Sequence, residues 1–115
     1  MYTQTFHFDL ADGAANQDIA IQGFVPYSLQ VVWSGVTGGT NGTVKIKQSN
    51  DGINFDQLKT IDADGAEADF GIDIDSASGS ESLEDKLGFT GLHMRIAVAV
   101  GAITAGALTV VLNQK

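Results

Sequence analysis

Apolar and polar residues alternate with a period of two through most of this chain, the spacing of strands with one dry and one wet face. In the first run Tyr2, Gln4, Phe6, Phe8 and Leu10 share one face, and Thr3, Thr5, His7 and Asp9 share the other. Ile19 and Ile21 form a second run, Leu29, Val31 and Trp33 a third, and Val44 and Ile46 a fourth. Ala68, Phe70, Ile72 and Ile74 alternate with Asp69, Gly71, Asp73 and Asp75. Leu92 through Val100 and Leu108 through Leu112 continue the pattern. Between Ile53 and Ile61 the phase slips from Phe55 to Leu58, which predicts a bulged strand.

Turn formers separate these runs: Asp12-Gly13, Gly38-Gly39, Asn41-Gly42, Asp51-Gly52, Asp64-Gly65 and Gly101. Such residues supply the positive φ angles and the local side-chain bonds of tight reversals. Ser82 is placed to cap one helical turn running through Leu83 and Leu87, with Glu84 and Asp85 near its start. About eight strands with at most one such turn predict an all-β, single-domain antiparallel β-sandwich over residues 1–115, jelly-roll or immunoglobulin-like.

Composition narrows what such a sandwich can do. The chain has 115 residues, of which 43% are hydrophobic, enough for one core and no second domain. Six basic residues against 14 acidic ones give a formal charge of -8, which repels phosphate backbones and excludes nucleic acid as a direct partner. The absence of cysteine removes disulfides, thiolate metal sites and cysteine nucleophiles. Ile96 to Gln114 carries no charge, but Gly101 and Gly106 interrupt it and its second half alternates, so a hairpin is expected there and no membrane insertion. The N-terminus lacks the basic and apolar regions of a secretory signal.

Candidate chemistry is sparse. Nine of the 14 acids lie between Asp62 and Asp85, and Asp62, Asp64, Glu67 and Asp69 offer hard oxygen ligands for calcium. The glycine and glutamate spacing of a calcium-binding helical loop is missing, so no metal or other cofactor is expected, and a solvated strand face is the simpler reading. His7 and His93 fall on the polar sides of their strands. No nucleophile elbow and no phosphate-cradling glycine spacing occur, and an enzyme is not expected. Trp33 has the phase of a core residue; Trp33 or Tyr27, if exposed, would offer a sugar-stacking surface. The charge-free C-terminal hairpin predicts a subunit contact through Ala97, Ala99, Ile103 and Ala105, in a homo-oligomer.

Gly42 to Phe55 runs as a strand, then Ser49-Asn50-Asp51-Gly52, then Asn54-Phe55, with Leu58 following. Downstream come Leu92-His93-Met94-Arg95-Ile96, Gly106-Ala107-Leu108-Thr109-Val110 and a final Asn113-Gln114-Lys115. From about Leu29 onward this succession resembles small β-sandwich virion proteins of bacteriophages, of the capsid-decoration, head-fibre and spike types. The resemblance implies an architectural Asn-Asp-Gly corner with the arginine strand beside it. It also implies a structural protein on the particle surface, a minor capsid or decoration protein made in the host cytoplasm, trimeric and bound to the major capsid protein or other virion proteins. The alternative is a host-recognition or carbohydrate-binding domain, since sugar-binding sandwiches use similar corners. In this chain Phe55 stands where a tryptophan is common, and no catalytic residues come with the resemblance.

Overall fold

A computed structural model describes residues 2–20, 27–61, 67–69, 71–85 and 93–114. The elements in order are β1 (Tyr2–Asp9), a 3-10 turn (Leu10–Asp12), β2 (Ala15–Ala20), β3 (Tyr27–Thr37), β4 (Gly42–Ser49), β5 (Asp56–Gln57) and β6 (Lys59–Ile61). They continue with β7 (Glu67–Asp69), β8 (Gly71–Ile74), β9 (Gly79–Asp85), β10 (His93–Ala99) and β11 (Ala105–Gln114). Sheet A has the order β1-β11-β3-β9, and sheet B the order β2-β10-β4-β5 with β8 also on β4; β6 and β7 pair with each other. Every pairing is antiparallel. The expected β-sandwich is therefore the observed fold, and no helix among the described residues is long and apolar enough to cross a membrane.

The extra strands have identifiable origins. The slipped segment divides into β5 and β6 because Leu58 N and Gln57 Nε2 both donate to Ile46 O (3.0 and 2.9 Å), leaving the ladder broken at Leu58. The Ala68 run divides into β7 and β8. Where a helical turn is expected to begin, Ser82 to Asp85 are instead part of β9, paired with β3 from Tyr27↔Asp85 to Trp33↔Gly79, and Leu87 lies outside the described residues. Leu83 packs against the core from this edge while Glu81, on the same face, reaches solvent. A strand that is half wet on its inward side shows no clean alternation, and the spacing of Leu83 and Leu87 imitates a helix.

The inward faces of both sheets supply one core, including Leu29, Val31, Val44, Ile46, Met94, Ile96, Leu108, Val110 and Leu112. Trp33 continues the inward row of β3, but Val36 rather than residue 35 is the next buried position. Gly35, at φ 64°, begins a bulge in which Gly35 and Val36 lie opposite Gly106, so the phase of β3 shifts by one residue. Trp33 is 2% exposed; its Nε1 donates to Ser76 O at 3.1 Å. A Cβ at Gly79 would stand 2.8 Å from Trp33 Cζ2, so the bare glycine makes room for the indole.

Replacing Gly79 with alanine forces the only tryptophan off this seat. The expected result is a loss of about 1–3 kcal/mol of stability. Trp33 emission, blue-shifted and resistant to acrylamide in the parent, should shift red and become quenchable.

Candidate functional site

The turn after β4 is built by side chains. Ser49, 4% exposed, accepts from Asp51 N and Gly52 N (3.2 and 2.9 Å) and donates to Asp51 Oδ1 at 2.8 Å. Asp51 Oδ1 also accepts from Ile53 N and Asn54 N, both at 2.8 Å, and Oδ2 accepts from Asn54 Nδ2 at 2.9 Å. Hydrogen bonds from the Asn54 and Ile53 amides, then from the Asn54 and Ser49 side chains, hold the Asp51 carboxyl far below the usual carboxylate range. Gly52 adopts φ 76°, a conformation that favours glycine, and a Cβ there would press on the His93 ring at 3.2 Å from Nε2.

This corner borders a cleft of about 360 Å³ lined by Gln48, Ser49, Asn50, Asp51, Asn54 and Asp56. Ser49 and Asp51 spend their oxygens on the corner itself. The side chains of Gln48, Asn50 and Asp56 make no hydrogen bond among the described residues, and they present amide and carboxylate groups without a cation. Such a lining suits a ligand rich in hydroxyl groups, which donates to carboxylates and exchanges both donor and acceptor bonds with amides.

Beside the corner, on the outer face of sheet B, lies a charged and aromatic platform. Arg95 stands between Asp18 of β2 and Lys47 of β4 in register. Its Nε and Nη2 donate to Asp18 Oδ1 and Oδ2 at 2.6 and 3.0 Å, a bidentate pair. The shared hydrogen bonds lower the Asp18 pKa and raise that of Arg95. The guanidinium carbon lies 3.9 Å from the centre of the half-buried Phe55 ring, within cation–π range. The arginine strand thus lies beside the Asn-Asp-Gly corner, as the resemblance implies.

The residues singled out from the sequence are dispersed. Tyr27 and Trp33 are each 2% exposed, so neither offers a ring face to a sugar; the stacking role is corrected, because their inward phase on β3 commits both to the core. Ala97 is half-buried and Ala99 exposed on the outer side of β10, whereas Ala105 begins β11 in the other sheet. Ile103 is 5% exposed within its own chain, which corrects its assignment as a subunit contact. Its side chain is seated over Gly42, where a Cβ would meet Ile103 Cδ1 at 2.7 Å. The four residues are thus divided between the two sheets and a buried loop position. His7 and His93 belong to different sheets, and His7 Nδ1 bonds Thr109 Oγ1 at 3.1 Å. Of the calcium candidates, Asp62 and Asp64 lie outside the described residues, and Glu67 and Asp69 form the ends of β7. Among the described residues no three His, Asp or Glu side chains converge as a metal site.

Asp56 has no place in the sequence reading, and Asn50 and Phe55 enter it only as parts of the corner motif, with no site role. The signal that marks them is the loss of phase after the corner, where an aromatic no longer follows the inward row.

No family model and no curated protein matches the chain. Several solved structures resemble its fold, among them the following two. The enzymatically active domain of tailspike protein 4 from bacteriophage CBA120 has a TM-score of 0.54 and 16% identity, over 96% of this chain and 15% of that one. A carbohydrate-binding module, described under "CBM4 structure and function", has a TM-score of 0.51 and 14% identity, over 89% of this chain and 61% of the other. The class defined is a β-sandwich shared by a phage tailspike domain and a carbohydrate-binding module. This chain spans only a small part of the tailspike and under two thirds of the module.

Two outcomes test this geometry. Ile103→Asp places a charge in the core and should cost about 3 kcal/mol or more in urea unfolding, without requiring any partner. Asp51→Ala should accelerate amide exchange at Ile53 and Asn54. In the parent, the stability supplied by Asp51 is complete above the ordinary aspartate value of 3.8 and is lost as pH falls from there through the lowered native value. Exchange protection at the corner should follow that course.

Proposed function

We propose that this protein is a glycan-recognition domain that binds without cleaving, placed on a phage particle to engage the host surface. The observation that carries this reading is the corner cleft: six polar residues line it, the Ser49–Asp51 network fixes its wall, and Gln48, Asn50 and Asp56 remain for a ligand. A fixed wall lowers the ordering cost of binding. The carboxylates of Asp51 and Asp56 disfavour anionic sugars, so the ligand class is a neutral hexose oligosaccharide. The fold likeness to a carbohydrate-binding module supports the binding role, and the likeness to a tailspike domain supports the virion setting. The capsid-decoration role implied by the sequence resemblance finds no counterpart in either likeness.

Calorimetric titration with neutral oligosaccharides from host envelopes tests the reading. A handful of hydrogen bonds, each contributing about 1 kcal/mol, gives a dissociation constant of about 1 mM. Asn50→Ala combined with Asp56→Ala should weaken binding about tenfold or more while the fold is kept. Binding that the double variant leaves unchanged, or no binding of any neutral glycan at millimolar concentration, would remove the cleft as the site.

A further inference from the structure

Five asparagines occur in the chain, and only Asn41 is followed by glycine. The fold uses both residues of that pair. Asn41 Oδ1 accepts from Ala102 N at 2.8 Å. Gly42 is buried, and a Cβ there would stand 2.7 Å from Ile103 Cδ1 and 3.0 Å from Ala99 O, so a side chain would displace Ile103 or press on β10.

The same pair is chemically labile. Asparagine is among the thermolabile residues, and a following residue without a Cβ lets its nitrogen approach the side-chain carbonyl carbon at little steric cost. Asn41 is exposed, so water and hydroxide reach it. The related Asp51-Gly52 step is closed by contrast. Its carboxyl is held ionised, a poor electrophile, and both oxygens are bonded to Ser49, Ile53 and Asn54.

We propose that Asn41 is a site of spontaneous deamidation, gated by its hydrogen bond to Ala102. When that bond opens, hydroxide takes the Gly42 amide proton and the nitrogen attacks Asn41 Cγ. A C–N bond forms, the Cγ–Nδ2 bond breaks, and the leaving nitrogen takes a proton from water to depart as ammonia, which regenerates hydroxide. Water then opens the resulting five-membered imide at either of its two ring C–N bonds. One product is aspartate and the other isoaspartate; the net change is one water consumed and one ammonia released. Aspartate keeps an acceptor oxygen for Ala102 N. Isoaspartate instead routes the main chain through the side-chain carbons, adding a methylene next to the tightly packed Gly42 and moving the acceptor away. The reaction thus unties the reversal before β4 from the one before β11, independently of glycan binding.

Peptide mass mapping of the folded protein, aged at mildly alkaline pH, tests the proposal. The expected result is amide-to-acid conversion with isoaspartate at Asn41, ahead of the other four asparagines, and faster amide exchange at Ala102 in the aged sample. Gly101→Ala supplies the gating test, because a Cβ there would stand 2.5 Å from Asn41 Oδ1 and push the side chain off Ala102 N. Losing that bond should speed conversion about fivefold. Urea below the unfolding transition, which raises local opening in the parent, should act in the same direction should Gly101→Ala fail to fold. An Asn41 that stays intact in the folded chain while the denatured chain reacts overturns the proposal. So does earlier conversion at another asparagine, or a rate that neither Gly101→Ala nor urea raises.

Discussion

Each reversal between strands releases backbone amides from a ladder, and those amides must find other acceptors or remain unsatisfied. In this sandwich short side chains next to the turns fill that need. Asp9 accepts from Ala11 N at 3.0 Å and turns β1 into the 3-10 segment. Asn41 Oδ1 accepts from Ala102 N at 2.8 Å and ties the reversal before β4 to the one before β11. Ser49 and Asp51 together take four amides of the corner after β4. Placement of the strands, and so of everything displayed on them, depends on these few oxygens.

The corner links fold to function because the same residues serve both. Asp51 is saturated by the turn and holds its carboxylate at any ordinary pH, so its contribution to a ligand is a fixed wall. The residues left for recognition are its neighbours, oriented by a frame that does not have to be assembled when a ligand arrives. Across β4 from β5, Arg95 is committed to Asp18 and covers Phe55, which joins β2, β10 and the corner across one face. The exposed pair contributes little energy on its own; its value is positional.

Much of the architecture is legible from the alternation, because inward and outward rows of a sandwich differ sharply in polarity where strands are central. Leu29, Val31, Ile46, Ile96 and Val110 fall in the core where their phase places them. Legibility fails at edges and bulges. Ser82 looks like a helix cap because β9 has a wet inward residue, and Val36 is hidden by the one-residue shift after Trp33. The site is harder still to see. Whether an aromatic faces water depends on how β5 crosses β4, so Phe55 could not be separated from Trp33 by residue type. Ile103 looked like an exposed apolar tip because the bare Cα of Gly42, distant in sequence, is what receives it.

The strand order carries a consequence for biogenesis. β11, the last element described, lies between β1 and β3, so the first and third strands have no mutual contact to form early. During synthesis sheet A is two separate pieces until residues 105–114 emerge from the ribosome and slide between them. Until then the paired β3 and β9 and the waiting β1 expose the edges that β11 will occupy, the kind of surface on which nascent chains misassociate. Sheet B has its own closing strand in β10, which also joins two earlier partners, β2 and β4. Each sheet is thus completed only by a strand from the C-terminal quarter of the chain, and slow translation there would prolong the stage at which those edges are open.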